Sequence, residues 1–393
     1  MNVCFITSNE VSPEKGGIER ITHTLAQAFS SMLGWKCYSI YSFKLERSVS
    51  NAFVDSRQVT CLSRAGKNIS QLLDEWNIDA LINQSDILLF PYLKRHLKKR
   101  TSLKKVFCHH FQSGWEAECT SIKSALKTLK KSPTLKNLIV FFLMPFFLLT
   151  NKWRYGKAYK TTYEISDIVV LLSDKMEQSF MKYGNICENQ KFRFIPNCLS
   201  FDSFYEIGQL QKKEKIVLVV SRMSEIGKRI FLALKIWGEI ESLDVCTEWR
   251  LMLVGKGDDL KLFKRYVKDN NLQRVVFEGS QPSEPYYKKS SLFMMTSEAE
   301  AWGLTLTEAQ QNGCVPVAFD TYVSLHDVIE DNYNGFLIKD GNLAEYVSKM
   351  VELMQNPELR FNIAKSAIES SHRFEKKVVV QKWYEVLSDL CEK

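Results

Sequence analysis

The chain alternates short apolar segments with amphipathic helical patterns, and it does so in two successive series. Short apolar runs bounded by turns are typical of buried strands, and their alternation with helices indicates βαβ units with parallel sheets. The first series has predicted strands at Val3–Ser8, Cys37–Tyr41, Ala80–Asn83, Lys105–His109 and Ile168–Leu172, and a helix at Ile18–Leu33. The second has predicted strands at Lys215–Val220, Arg250–Val254, Val275–Phe277, Ser291–Thr296 and Val315–Phe319, and helices at Ile230–Ser242, Asp258–Asn270 and Leu304–Asn312.

A chain of 393 residues is too long for a single hydrophobic core, so two domains are expected. Proline and asparagine interrupt the pattern in the segment FIPNCL, at Pro196 and Asn197. We therefore predict an α/β protein with two Rossmann-like domains facing across a cleft. The predicted ranges are 1–196 and 197–375, followed by a C-terminal helix over 376–393.

The ten cysteines are scattered, with no C-x-x-C pair and no Cys/His cluster at metal-binding spacing. This pattern predicts reduced, mostly buried thiols in a cytoplasmic protein. The first residues, Met1–Thr7, are predicted to form a strand rather than a signal peptide.

Charge is distributed unevenly along the chain. Residues 1–196 contain 28 Lys and Arg against 16 Asp and Glu, a net charge of +12. Because the whole chain has 53 basic and 45 acidic residues, the remainder holds 25 and 29, a net charge of −4. A basic first half is expected to attract a polyanion or an anionic membrane.

The segment Thr120–Tyr163 has no acidic residue, and its basic residues bracket the apolar run Leu138–Leu149. The basic residues are Lys123, Lys127, Lys130, Lys131, Lys136, Lys152, Arg154, Lys157 and Lys160. As a helix the apolar run would extend roughly 18 Å, against a hydrocarbon core of about 30 Å, and Pro145 is expected to kink it.

Shallow insertion of residues 120–163 into an anionic membrane surface is therefore predicted, which would make the protein peripheral on the inner face of the cytoplasmic membrane. The aromatic anchors would be Phe141, Phe142, Phe146, Phe147 and Trp153. The alternative is a buried core helix with a basic rim. Nucleic acid is not expected as a partner, because the aromatic residues form one apolar block instead of alternating with the basic residues.

Two carboxylates, Glu300 and Glu308, flank Gly303 between a predicted strand and the predicted helix that follows it. The backbone N–H groups of Gly303, Leu304 and Thr305 would suit a phosphate there. Carboxylates suit hydroxyl groups, because a charged acceptor makes the stronger hydrogen bond. Phosphate together with hydroxyls indicates a sugar nucleotide, and the alternative is a solvated helix with two surface glutamates.

Other strand ends carry candidate ligands of the same kind. Arg222 and Lys228 follow a predicted strand and could clamp a diphosphate, although loop cations are often simply solvated. Gly255 and Gly257 follow the next strand, where they allow either close approach of a ligand or a simple turn.

In the first half, Gly16 and Gly17 precede the first helix at an anion-binding position, or form only a turn. His109 and His110 end a strand, where one could bind a hydroxyl or transfer a proton, or be structural. The chain has no G-x-G-x-x-G, no Walker A sequence and no D-x-D run, so neither a cofactor nor a metal ion is expected.

Taken in order, these motifs resemble the retaining GT-B glycosyltransferases of family 4. The resemblance rests on GGIER, a strand-end histidine, IPN, SRMSEIGKR, VGKGDD and the E-x7-E pattern from Glu300 to Glu308, and it covers nearly the whole chain. The segment FEGSQPSEPYYKKSSLFMMTSEAEAWGLTLTEAQQNGCVPVAF is similar to bacterial enzymes of surface-polysaccharide assembly. Trp302 stands where the family usually has Phe.

The resemblance implies roles for individual residues. Arg222 and Lys228, rather than Arg229, would hold the donor diphosphate. Glu308 would bind the ribose and Glu300 the transferred sugar. The backbone amides near Leu304 and Thr305 would contact the distal phosphate, and Gly17 would let its loop approach donor and acceptor. His110, in preference to His109, would lie near the reacting sugar. The helix around Trp383 and Tyr384 would cross back to the first domain.

The expected function is transfer of a sugar from a UDP- or GDP-sugar, with retention, to a lipid-linked glycan in capsule, O-antigen or exopolysaccharide assembly. The family likeness favours front-face departure and attack without a metal. Two alternatives stay open at this point. One is a GT-B enzyme with a soluble acceptor, and the other is a non-catalytic membrane- or polyanion-binding protein on the same scaffold.

Overall fold

A computed structural model describes residues 1–13, 16–44, 50–115, 129 and 134–392, with the backbone alone described at 135 and 136. The chain forms two compact units. The first comprises residues 1–196 and 379–393, and the second comprises residues 197–378. The predicted boundary after residue 196 agrees with this division. The predicted end of the second domain, residue 375, lies three residues before the observed one at 378.

The first unit contains a seven-stranded sheet in the order β3-β2-β1-β4-β5-β6-β7, in which all neighbouring strands are parallel. Its strands are β1 Asn2–Asn9, β2 Lys36–Phe43, β3 Asp55–Gln58, β4 Ala80–Asn83, β5 Lys104–His109, β6 Ile168–Leu171 and β7 Phe192–Phe194. Its helices are α1 Gly17–Leu33, α2 Gly66–Glu75, α3 Leu89–Leu97, α4 Leu135–Ile165 and α5 Glu177–Gly184.

The second unit contains a six-stranded parallel sheet in the order β10-β9-β8-β11-β12-β13. Its strands are β8 Glu214–Val220, β9 Arg250–Val254, β10 Val275–Gly279, β11 Ser290–Met295, β12 Val315–Asp320 and β13 Phe336–Lys339. Its helices are α6 Ile230–Glu241, α7 Leu260–Asp269, α8 Glu284–Lys289, α9 Leu304–Gln311, α10 Leu343–Gln355 and α11 Pro357–Ser371, with short helical turns at Glu225–Lys228 and Leu325–Val328.

The last helix, α12 Lys376–Glu392, completes the hydrophobic core of the first unit. The Trp383 ring packs edge-on against Phe29 at a centroid distance of 6.0 Å, and the Tyr384 ring stacks on Trp35 at 6.2 Å. Large aromatic side chains bury much apolar area, so these contacts hold the end of the chain on the first unit.

The central strands of both sheets are almost wholly buried, which explains their continuous apolar sequences. All four residues of β4 and all six of β11 are buried. Because helices cover both faces of a parallel sheet, its inner strands lack the alternating pattern of half-exposed strands. These continuous apolar runs made the inner strands detectable in the sequence.

The apolar run Leu138–Leu149 was considered as a helix of its own, with a kink at Pro145. In the structure it is part of one 31-residue helix, α4, that continues past Pro145. Toward its C-terminus α4 packs into the first unit, where Tyr159 is fully buried and Thr162 Oγ1 donates to the Ile87 carbonyl at 2.8 Å. These tertiary contacts extend the helix beyond the apolar run.

The N-terminal part of α4 is exposed. Phe142 is 71% exposed, Phe146 64% and Trp153 71%. No helix among the described residues is both long enough and apolar enough to cross a membrane. Lys123, Lys127, Lys130 and Lys131 lie outside the described residues, as does the side chain of Lys136.

Candidate functional site

The loop after β8 carries the two predicted diphosphate ligands. The side chain of Met223 is fully buried and anchors the loop, whereas the preceding Arg222 is exposed. Within the described part of the chain, the Arg222 guanidinium makes no hydrogen bond or ion pair. It is therefore available to an incoming anion.

Lys228 and Glu300 form an ion pair between Nζ and Oε1. Both side chains are mostly buried, with 22% and 19% exposed. The contact brings together a predicted phosphate ligand and a predicted sugar ligand that are far apart in the sequence. The two residues are thus in position to contact one ligand.

Arg229, the other candidate cation in this loop, is already bound by its own unit. Its Nε donates to the Thr296 carbonyl at 2.7 Å, and its Nη2 lies 2.7 Å from Asp340 Oδ1. The guanidinium also lies over the Phe319 ring. Arg229 therefore has a structural role, and the geometry favours Lys228 as the ligand, as the resemblance implied.

Helix α9 begins at Leu304 and Thr305 next to this ion pair, and no side chain caps it. Gly303 precedes it with φ of 77°, in the left-handed region. A Cβ on Gly303 would lie 2.5 Å from the hydroxyl of the buried Tyr322. An uncapped helix N-terminus attracts an anion, and Gly303 is the residue that lets the chain enter the helix in this way.

Glu308, the predicted ribose ligand, is fully buried within α9. Gln310 and Gln311 beside it are also buried and donate to backbone carbonyls of Val328 and Phe201 at 2.9 and 3.1 Å. The Glu308 carboxylate is closed off from solvent in this structure. Its contact with a ribose remains a prediction that requires neighbouring groups to move.

Gly255 and Gly257 pack closely against the loop after β8. A Cβ on Gly255 would lie 1.9 Å from the Ser221 carbonyl oxygen, and one on Gly257 would lie 2.2 Å from that of Met223. The close backbone approach at these glycines is thus to the neighbouring loop, which carries Arg222. Both glycines thus pack against that loop, and their direct contact with a ligand stays a prediction.

The loop before α1 also differs from expectation. Gly16 has φ of 70°, and a Cβ there would lie 1.9 Å from Oε2 of Glu19. Glu19 is buried and accepts from Asn9 Nδ2 at 2.7 Å. Its carboxylate places negative charge at the N-terminus of α1, which disfavours a phosphate there and favours the alternative in which Gly16 and Gly17 form only a turn.

The two strand-end histidines occupy distinct environments. His109 is buried between the rings of Tyr159 and Phe180, at centroid distances of 5.5 and 5.2 Å. His110 is partly exposed, and its Nε2 contacts Gln84 Oε1. Burial lowers the pKa of His109 to about 3 and that of His110 to about 4, so both are neutral at neutral pH.

His109 therefore serves the aromatic core of the first unit, where a sugar could not reach it without disrupting that packing. His110 stays the candidate for contact with a reacting sugar, and this role remains a prediction. A neutral imidazole can donate or accept a hydrogen bond but carries no charge to an anion.

A cavity of about 290 Å³ lies beside His110 at the carboxyl ends of β1 and β4. It is lined by Ser8, Asn9, Ile18, Glu19, Gln84, Ser85, Asp86 and Phe111. None of these residues was a predicted site residue. Polar residues directly after predicted strands were a usable signal for Asn9 and Gln84, because ligands bind at that edge of a parallel sheet.

Over the described ranges, no group of three or more His, Cys, Asp or Glu side chains could hold a metal ion. The ion pair of Lys228 and Glu300 lies beside the start of α9, and Arg222 lies in the loop that carries Lys228. Such a set can bind a phosphate and a hydroxyl side by side.

Residues 201–370 match the family model described as glycosyl transferases group 1. The matched residues lie entirely within the second unit. The match includes Arg222, Lys228, Glu300, Glu308 and the start of α9, so the site described above lies within the glycosyl transferases group 1 region. The first unit lies outside the matched residues.

Curated relatives match over part of their length. Poly(glycerol-phosphate) alpha-glucosyltransferase of Bacillus subtilis (strain 168) is 21% identical over 61% of this chain and 35% of its own length. Poly(ribitol-phosphate) alpha-N-acetylglucosaminyltransferase of Staphylococcus aureus (strain COL) is 28% identical over 48% of this chain and 39% of its own. The chain thus spans well under half the length of these two relatives.

Solved structures match nearly the whole chain. Alr3699/HepE of Anabaena in complex with UDP and glucose has a TM-score of 0.71 at 16% identity, over 99% of this chain and 100% of that protein. The S. aureus protein TarM, in complex with Fondaparinux, alpha-GlcNAc-glycerol and UDP, has a TM-score of 0.61 at 20% identity, over 81% and 58%. The predicted GT-B fold with two Rossmann-like domains is confirmed.

Proposed function

We propose that the protein is a retaining glycosyltransferase that moves a sugar from a UDP- or GDP-sugar to a membrane lipid-linked glycan. The acceptor would belong to capsule, O-antigen or exopolysaccharide assembly at the cytoplasmic face of the membrane. The observation that carries the proposal is the ion pair of Lys228 and Glu300 beside the uncapped start of α9, with the exposed Arg222 in the same loop as Lys228. This group lies within the family-matched region.

The group suits both parts of a nucleotide sugar. Arg222 and Lys228 can each donate to a diphosphate oxygen, and the N-terminus of α9 adds partial positive charge. Glu300 can accept hydrogen bonds from the hydroxyls of the sugar attached to that diphosphate. During transfer the bond from sugar to phosphate breaks, and the same cations stabilise the negative charge that develops on the leaving nucleoside diphosphate.

Isothermal titration calorimetry with UDP, GDP and their hexose conjugates tests the donor site. In the Arg222→Ala/Lys228→Ala variant, two hydrogen bonds to charged groups of about 1.5–3 kcal/mol each are lost, so nucleotide affinity should fall at least about a hundredfold. The matched control is Lys215→Ala/Arg250→Ala. It removes one lysine and one arginine from the opposite ends of β8 and β9, where they pair with Glu248 and Glu214.

Equal affinity in the site variant and in wild type would reject the assignment. Two finer parts of the proposal have their own readouts. Retention requires that the anomeric configuration of the product, measured by NMR, matches that of the donor. Catalysis without a metal requires that the rate survives EDTA.

A lipid-linked acceptor is supported by the exposed aromatic residues of α4. Phe142, Phe146 and Trp153 face solvent in a segment without acidic residues, and Lys157 lies over the Trp153 ring. Aromatic and basic residues on one helix favour the membrane interface, where apolar rings insert and cations meet anionic headgroups. This exposure disfavours the alternative in which the apolar run is a core helix.

Co-sedimentation with anionic liposomes tests this part. The Phe142→Ser/Phe146→Ser variant should lose at least about tenfold in bound fraction, because burying one such side chain is worth about 1.5–3 kcal/mol. Phe43→Ser is the control, since Phe43 is comparably exposed elsewhere on the first unit. Equal loss in both variants, or no loss in either, would contradict the proposed role of α4.

A further inference from the structure

We propose that the cavity of the first unit binds an uncharged, hydroxyl-rich group and excludes phosphates and carboxylates. That this group is the accepting sugar of the glycan rests on the proposed function. The cavity itself is defined by the side chains that line it.

Six of the eight residues that line the cavity have side chains that can form hydrogen bonds. Ser8 Oγ and Ser85 Oγ lie 2.6 Å apart, and Asn9 Nδ2 donates to Glu19 Oε1 at 2.7 Å. Asp86 lines the cavity as well, with Oδ1 accepting from the Leu88 N–H at 2.9 Å and Oδ2 left over for a ligand. Several acceptors in a small space match the donors of neighbouring sugar hydroxyls.

Gln84 gives an independent indication of a ligand. Its side chain is fully buried, and its Oε1 is engaged by His110. Its Nε2 has no hydrogen-bond partner within the described residues. A buried amide donor without a partner costs free energy, so a ligand hydroxyl in the cavity that Gln84 lines would recover that loss.

The charge of the wall decides which ligands fit. Glu19 and Asp86 are both acidic, and no Lys or Arg lines the cavity in the part of the chain that the structure describes. The nearest cation acting on Asp86 is Arg154 of α4, which is itself bonded to Tyr92 Oη at 2.7 Å. An anionic ligand would meet two carboxylates at short range, which disfavours its binding.

The volume and the apolar part of the cavity wall limit the choice of ligand further. A volume of about 290 Å³ lies at the lower end of small-molecule sites, so one monosaccharide unit fits better than an oligosaccharide. Ile18 and Phe111 supply apolar wall that can contact the CH groups of a sugar ring.

The test uses the full chain and a panel of n-octyl hexosides that covers glucose, galactose, mannose and N-acetylglucosamine. Each is compared with its matched uronide or 6-phosphate by saturation-transfer NMR and calorimetry, below the micelle concentration. At least one neutral hexoside should bind, and its charged counterpart should bind at least about tenfold more weakly.

The Asp86→Asn and Glu19→Gln variants should weaken the neutral ligand about tenfold, because a hydrogen bond to a charged acceptor is lost. The same variants should strengthen the charged ligand relative to the neutral one. Glu188→Gln, at an exposed glutamate elsewhere on the first unit, should change neither. Asp86 is exposed, so its variant keeps the test valid if Glu19→Gln does not fold.

Equal binding of charged and neutral ligands by the wild type would overturn the inference, as would the absence of binding by every neutral hexoside. Titration with UDP and GDP on the same samples keeps the two proposals distinguishable. Loss of nucleotide binding alone would contradict the proposed function and leave the cavity result standing. A negative cavity result with intact nucleotide binding would contradict only the inference.

Discussion

The candidate sites of the two units differ in how their charges are compensated. In the second unit Lys228 is paired with Glu300 near an uncapped helix N-terminus, and the loop that carries Lys228 also carries the exposed Arg222. In the first unit Glu19 and Asp86 line the cavity, with no described cation in its wall. A site with both signs of charge suits a ligand that carries phosphate and hydroxyls, whereas a site with carboxylates alone suits hydroxyls without phosphate.

The units also differ in how far the family resemblance reaches. The family model covers residues 201–370, all within the second unit. The cavity and the exposed aromatic residues of α4 lie in the first unit, outside that match. If relatives bind the donor in the same way but bind different acceptors, a match confined to the second unit would be expected.

The largest expected effect concerns the rigidity of the second site. Gly303→Ala should destabilise the second unit by about 2–5 kcal/mol. The left-handed backbone costs about 1–2 kcal/mol, and overpacking against the buried Tyr322 hydroxyl adds about 1–3 kcal/mol. Gly341→Ala is the control, because Gly341 has φ of 79° but open space at its Cβ position. Urea unfolding should show only the backbone cost at Gly341. Equal destabilisation by Gly303→Ala and Gly341→Ala would mean that the Tyr322 side chain moves to make room for the added methyl group. The second site would then be as adaptable as an open loop.

The sequence was sufficient for the inner strands and insufficient for most sheet edges. β4 and β9 were predicted with their observed bounds, because strands buried on both faces are apolar throughout. β3, β7 and β13 were missed. Each pairs with a single neighbour at a sheet edge, and β3 has the polar sequence DSRQ. Edge strands are partly exposed, so β3 and β7 lack an apolar run of the usual length, whereas β13, with the sequence FLIK, is too short to stand out.

The same limit applied to the sites. Glu300 and Lys228 each follow a predicted strand, and this position made both of them candidate ligands. Gln84 and Asp86, in the loop after β4, share a cavity with the buried Glu19 only because β1 and β4 are neighbours in the sheet. Sequence spacing does not encode that adjacency. The close packing of Gly255 against Ser221 likewise became visible only in three dimensions.

A smaller effect should appear in the first unit on acidification. Burial lowers the pKa of His110 to about 4, below its unfolded value of about 6.5. Between these values the unfolded chain binds more protons, so stability is full above pH 6.5 and falls as the pH drops toward 4. The slope is about 1.4 kcal/mol per pH unit for one histidine.

Thermal unfolding at pH 7.5 and 5.5 checks this expectation. The stability difference between wild type and His110→Gln should shift by about 1 kcal/mol in favour of the variant at the lower pH. His326→Gln, at an exposed histidine of the second unit, is the matched control and should show no such shift. A pH dependence unchanged by His110→Gln would show that His110 is solvated, and the cavity beside it would then be more open than the geometry indicates.

The smallest expected effect tests the paired charges of the second unit directly. A nucleoside diphosphate must compete with Glu300 for Lys228, whereas the intact sugar nucleotide offers Glu300 new hydroxyl partners. Glu300→Gln should therefore strengthen the binding of UDP or GDP by about two- to fivefold, because a partly exposed ion pair is worth about 0.2–1 kcal/mol. The corresponding nucleotide sugar should gain less or lose affinity, so the ratio of the two dissociation constants should change. Calorimetry on both ligands measures that ratio, with Glu298→Gln at a nearby exposed glutamate as the control. A parallel change for both ligands would place Glu300 outside the sugar contact, and the second site would then resemble a simple phosphate clamp.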